Sequence, residues 1–180
     1  NWDATFFGTI YSYGGWSMQV SPRYFKRYRY TGNFVFDYMK TKIGFKGDPD
    51  FYSSNDFKIR WQHSMDTKSR PGVSFSASVN AGTSSFNSNQ PTAPLTNFQN
   101  QMSSSINYSK RWGDRFNMSV TANHDQNTNT GRFNVTLPNI NFNMNTLYPL
   151  RPKESVGTPK WYENLGIGLN SNALNKSFFY

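Results

Sequence analysis

The side chains of this 180-residue sequence that are able to do chemistry are few and poorly grouped. It has two histidines and no cysteine, which removes thiol nucleophiles, disulfides and Cys-ligated metals together. His63, Ser64 and Asp66 lie close in sequence, as do His124 and Asp125. On a strand, neighbouring residues point to opposite faces, so His63 and Ser64 cannot share a site, and His124 and Asp125 cannot either. No Gly-x-Ser-x-Gly elbow is present to hold a nucleophile. An outer-membrane hydrolase would need a serine and a histidine to converge from distant strands. No catalytic residue is assigned, and the chain is read as not an enzyme. Asp48, Asp50 and Asp56 flank a long loop and offer carboxylates to Ca²⁺, but the EF-hand spacing is missing. No metal or cofactor is assigned.

Charge is the strongest remaining signal. The formal net charge is +9, and eleven of the 19 basic residues lie between Arg23 and Arg70. Arg23, Lys26, Arg27 and Arg29 crowd around one expected turn. Such a cluster suits anionic lipid headgroups or an acidic saccharide. It also attracts nucleic acid, but no nucleic-acid motif accompanies it, so that partner is set aside. A solvated turn would carry the same charge, since surface charge alone reports solubility and non-specific association.

The elements that must position these residues are strands. No stretch shows the i, i+3, i+4, i+7 apolar spacing of an amphipathic helix, and period 2 dominates. The clearest hairpin runs from Ser104 to Thr128 around Trp112-Gly113-Asp114-Arg115. Ile106, Tyr108, Phe116, Met118 and Val120 fall on one face, and Asn107, Ser109, Asn117, Ser119, Thr121 and Asn123 on the other. In the next strand Phe133, Val135 and Leu137 alternate with Asn134 and Thr136. Further strands are predicted near Thr5 to Tyr13, Trp16 to Lys26, Gly32 to Phe45, Asp56 to Met65, Val73 to Thr83 and Asn164 to Ala173, about nine in all. Gly14-Gly15 and Gly113-Asp114 are expected to supply left-handed turn positions. Three long loops, Lys46 to Asn55, Ser84 to Asn100 and Tyr148 to Glu163, hold six of the nine prolines.

Composition bears on the environment of these strands. Aromatic residues make up 18% of the chain, yet its mean hydropathy is −0.74. No apolar run approaches the ~18 residues of a membrane-spanning helix. A soluble β-sandwich would line its inner face with Val, Ile and Leu and its outer face with Lys and Glu. Here the polar face is Asn, Ser and Thr, the pattern of a transmembrane barrel whose apolar face meets lipid and whose polar face meets a hydrated lumen. Asn107, Ser109, Asn117, Ser119, Thr121, Asn123, Asn134 and Thr136 are therefore candidate lumen residues. Trp and Tyr near the predicted strand ends fit interfacial girdles, although both also suit strands in general. A soluble β-sandwich binding module, and a complete small barrel with a structural or adhesive role, stand as alternatives.

The order of several segments adds a resemblance. Asn1-Trp2-Asp3-Ala4-Thr5, Tyr11-Ser12-Tyr13-Gly14-Gly15-Trp16, Lys46-Gly47-Asp48-Pro49-Asp50, Asp56 through Ser64 and Phe75 through Asn80 resemble the barrel domain of the LptD family. Ile106 through Asp114, Leu137 through Asn143 and Leu147 through Arg151 extend the likeness along most of the chain. The resemblance implies an outer-membrane protein of Gram-negative bacteria that assembles lipopolysaccharide at the cell surface. It implies a large barrel holding an LptE-like plug lipoprotein, fed by a periplasmic Lpt bridge through an N-terminal domain that lies outside these residues. It also implies that residues 1–180 are an internal piece of that barrel, its early strands without the gate strands. Gate residues are not assigned, and the family's disulfide cysteines have no counterpart here. The Phe178-Phe179-Tyr180 ending resembles the closing strand of a complete barrel, but the internal-piece reading is preferred.

Overall fold

A computed structural model describes residues 1–90, 101–151, 157 and 160–179. The period-2 pattern becomes nine strands: β1 (Trp2–Ile10), β2 (Trp16–Lys26), β3 (Tyr30–Ile43), β4 (Tyr52–Met65), β5 (Val73–Gly82), β6 (Gln101–Trp112), β7 (Phe116–Asn127), β8 (Arg132–Leu147) and β9 (Ile167–Phe179). Each pairs antiparallel with the next, giving one sheet in the order β1 to β9. The chain is all-β, as predicted, but its strands form a single open layer rather than the two packed layers of a sandwich. Strands of 9 to 16 residues match the ~9–11 residues that a tilted strand needs to cross a bilayer.

Such a layer has little interior. The buried apolar residues are Met39, Ala77, Phe86 and Met102 among the described residues, while Trp2, Phe6 and Ile10 are each more than two-thirds exposed. In water, so much exposed apolar surface on one sheet face would drive association.

Local corrections have physical causes. β4 starts at Tyr52 rather than Asp56, because Ser53, Ser54 and Asn55 pair with Lys42, Thr41 and Lys40 despite their loop-like types. The last strand is shifted from the predicted Asn164 to Ala173 to Ile167–Phe179. Gly14 and Gly113 adopt positive φ (78° and 55°), but Gly15 and Asp114 do not. Gly15 serves close approach instead, since a Cβ there would lie 2.9 Å from the Lys40 carbonyl. Tyr28 takes the left-handed position (φ 59°) in the β2–β3 turn.

The largest departure is in β8, which runs to Leu147, well past Leu137. Its register shifts between Thr136 and Asn139 against both β7 and β9. The shift brackets Pro138, which has no N–H to give a central ladder, and a bulge absorbs the missing bond. It also reverses the parity of the apolar positions. Before it Phe133 and Val135 lie on the apolar face; after it Ile140, Phe142 and Met144 do.

Candidate functional site

Residues directly opposite in neighbouring strands share a face, so the register assigns every strand residue to one side. Asn107 stands opposite Thr121, Ser109 opposite Ser119, and Ser105 opposite Asn123. Thr121 pairs onward with Asn139, Asn123 with Thr136, and Asp125 with Asn134. Together with Asn117, paired to Arg111, the eight candidate lumen residues therefore lie on one side of β6–β8. Ile106, Tyr108, Phe116, Met118, Val120, Phe133 and Val135 lie on the other side, while Leu137 falls in the bulge.

Over β5–β9 the polar face is mostly Asn, Ser and Thr, with Arg111, Asp125, Arg132 and Lys176 the charged residues on it. The Ser74 and Ser109 hydroxyls share a 2.7 Å hydrogen bond, and Asn172 Nδ2 donates to Asn139 Oδ1 at 3.0 Å. None of the eight predicted residues is buried. A hollow of about 350 Å³ opens among Ser78, Ser105, Asn123, Asn134 and Thr136, and Asp125 and Lys176 line it too. Hydroxyls and amides that both donate and accept suit water or a saccharide, whose hydroxyls do the same.

Over β3–β4 the same face is charged and partly covered, while every residue of β1 is exposed. Gln19 Nε2 and Arg60 donate to the two oxygens of Asp37 at 2.5 and 2.8 Å. Asp56 is fully buried, and its carboxylate accepts from Ser54, Thr83, Ser85 and Asn89. Three of those donors follow β5 in the chain, in a segment folded back over the sheet. Sequence reasoning missed this arrangement, because the donors stand 27 to 33 residues from Asp56. Asp48 stays in the β3–β4 turn, accepting from the Phe45 N–H, and no group of acidic residues able to hold a metal occurs among the described residues.

The basic cluster divides. Arg23 lies on the polar face opposite Asp3 and Asn33, whereas Lys26 belongs to the other face. Arg27 stacks over Tyr28 at 5.0 Å. Because strands alternate in direction, the β2–β3, β4–β5 and β6–β7 turns share one end of the sheet, which adds Lys68, Arg70, Arg111 and Arg115 to the cluster. Arg111 is tied in by its N–H, which donates to the Gly72 carbonyl at 2.7 Å. Only topology assembles that longer basic rim.

Neither histidine faces the polar side. Tyr24 covers Gly32, where a Cβ would meet its ring at 2.3 Å; its hydroxyl accepts from Trp61 Nε1 at 2.8 Å and shares a 2.7 Å hydrogen bond with His63 Nδ1. His63 also packs on Tyr30 and Phe75, so it belongs to an aromatic cluster on the apolar face. His124 lies opposite Ser104 with Nδ1 3.4 Å from its hydroxyl, a pair the sequence reading did not anticipate. That hydroxyl also accepts from the Asn80 N–H and donates to the Asn80 carbonyl, and Asp125 faces the opposite side.

A protein-family model described as LptD protein matches residues 1–180. The chain belongs to the LptD family. Comparison with curated proteins and with solved structures gave no match. LptD proteins are outer-membrane β-barrel proteins of lipopolysaccharide transport, a transport family rather than an enzyme family, and the open nine-stranded sheet accords with a segment of such a barrel.

Proposed function

We propose that this chain forms wall of an outer-membrane translocon that inserts lipopolysaccharide into the outer leaflet, without covalent chemistry. The observation that carries this reading is the separation of faces across β6–β8: the parity reversal at Pro138 keeps Asn139, Asn141 and Asn143 on the polar side and Ile140 and Phe142 on the apolar side. Asn107, Ser109, Asn117, Ser119, Thr121, Asn123, Asn134 and Thr136 line a hydrated lumen that accommodates the saccharide. The apolar face meets lipid, and acyl chains travel in apolar surroundings. Arg23, Lys26, Arg27 and Arg29, with the neighbouring basic turns, meet anionic headgroups or phosphorylated sugar at one rim.

Both β1 and β9 are edges with unpaired backbone groups, which hydrocarbon does not tolerate. We read residues 1–180 as an internal piece of the barrel without its gate, with further strands pairing to these two edges. An LptE-like lipoprotein fills the large lumen, and a periplasmic Lpt bridge delivers lipid through a separate N-terminal domain. A photo-crosslinking residue placed at Ser119, Val120 or Thr121 of the full-length protein in cells tests the reading. Lipopolysaccharide adducts at positions 119 and 121 are expected to depend on continuing delivery of lipid and to vanish when delivery is blocked, whereas an adduct at 120, which faces bilayer lipid, persists. No adducts at 119 and 121, or adducts there that survive the block as those at 120 do, would count against it.

A further inference from the structure

The segment that follows β5 is held on the polar face by more bonds than a connection needs. Asp56 Oδ1 accepts from the Thr83 hydroxyl at 3.0 Å and from Ser85, while Oδ2 accepts from Ser54 and Asn89 Nδ2, each at 2.9 Å. A buried carboxylate is tolerated only when its oxygens are satisfied, so the carboxylate fixes the conformation of the residues that satisfy it. Two neighbouring contacts extend the attachment. Lys58 Nζ donates to Asn87 Oδ1 at 3.0 Å, and the same ammonium lies over the Phe86 ring at 5.8 Å. Asn89 Nδ2 also donates to Tyr52 Oη at 3.1 Å.

Phe86 makes the arrangement more than a tether. Its ring is 4% exposed, and Met39 on the polar face is also 4% exposed. Both lie on the side opposite to the lipid-type residues of β3 and β4, so a lipid-facing role does not explain them. A small apolar core has instead been built on the polar side of the sheet. Between the segment and β1–β3 a hollow of about 170 Å³ remains around Phe7, Gln19, Asp37 and Phe86, while away from the segment, around Asp3, Arg23 and Asn33, about 500 Å³ is open.

We propose that Thr83 to Asn89 forms a fixed constriction, pinned on Asp56, that closes the β1–β4 side of the lumen to bulky hydrated solutes and leaves passage along the Asn/Ser/Thr side. The proposal rests on the reading of the polar face as a lumen. Ion conductance of the full-length protein, purified from membranes with its partners and reconstituted in planar bilayers, tests it. Asp56→Ala releases the segment, and Phe86→Ala thins it with the Asp56 bonds intact, so a folding defect in the first leaves the second to decide. Both are expected to raise conductance several-fold, Asp56→Ala the more. A cysteine at Thr121, probed with a membrane-impermeant thiol reagent in each background, reports on the lumen itself. Reactive Thr121→Cys with unchanged conductance in both variants overturns the constriction and leaves the lumen standing. Unreactive Thr121→Cys overturns both.

Discussion

The polar face has two halves that one sheet builds in opposite ways. Over β1–β4 it carries Asp37, Asp56, Lys58 and Arg60, each engaged by a specific partner, and a segment from beyond β5 lies across it. Over β6–β8 it carries mostly asparagine, serine and threonine, half-buried or exposed, with Arg111, Asp125 and Arg132 as exposed charges among them and a hollow above. The difference shows where specificity of shape and freedom of contact each reside. Charged groups with fixed partners hold one conformation, whereas neutral groups that donate and accept leave a surface able to exchange water for sugar hydroxyls.

Substitutions on the two halves should therefore have unequal consequences. The largest loss of stability is expected from Asp56→Ala, which leaves four donors without their acceptor; at about 1 kcal/mol per bond the cost is about 4 kcal/mol, readable as a lower urea midpoint for the refolded barrel. Val120→Arg comes next, at about 2 to 4 kcal/mol for an arginine facing mid-membrane, while Thr121→Arg should leave folding nearly intact and alter permeation. Equal destabilisation by both would abolish the distinction between faces. Tyr24→Phe removes the hydroxyl bonded to Trp61 and His63 and should cost about 1 to 2 kcal/mol, with tryptophan emission reporting the exposed indole. The smallest effect belongs to the neutral ladder. A double-mutant cycle on Ser74→Ala and Ser109→Ala should give a coupling of about 0.5 to 1 kcal/mol, and a value near that of Asp56 would erase the contrast between halves.

Much of this contrast was legible in the sequence on one half and hidden on the other. The β6–β7 hairpin follows from uninterrupted alternation around Gly113, and its register gives the same two faces that alternation predicts. The extension of β8 was also written in the chain, as the change from odd to even apolar positions between Val135 and Ile140. Simple alternation carries the strand to Leu137, where Pro138 interrupts a central ladder, and the bulge that lets the strand go on has no signal in period 2. The Asp56 site carried no local signal. Its donors lie in a Ser/Asn-rich stretch that reads as an ordinary loop, and three-dimensional return of that loop alone gives the aspartate its partners. The basic rim is intermediate: Arg23 to Arg29 are visible as a run, whereas Lys68, Arg70, Arg111 and Arg115 join them only through the meander.

The separation of faces is tested most directly by single cysteines placed in turn from Asn117 to Asn123 of β7, in the full-length protein in native membranes and otherwise free of reactive thiols. A membrane-impermeant maleimide should label positions 117, 119, 121 and 123 and spare 118, 120 and 122. Uniform labelling, or labelling of the even positions alone, would contradict a lumen on this side of the sheet.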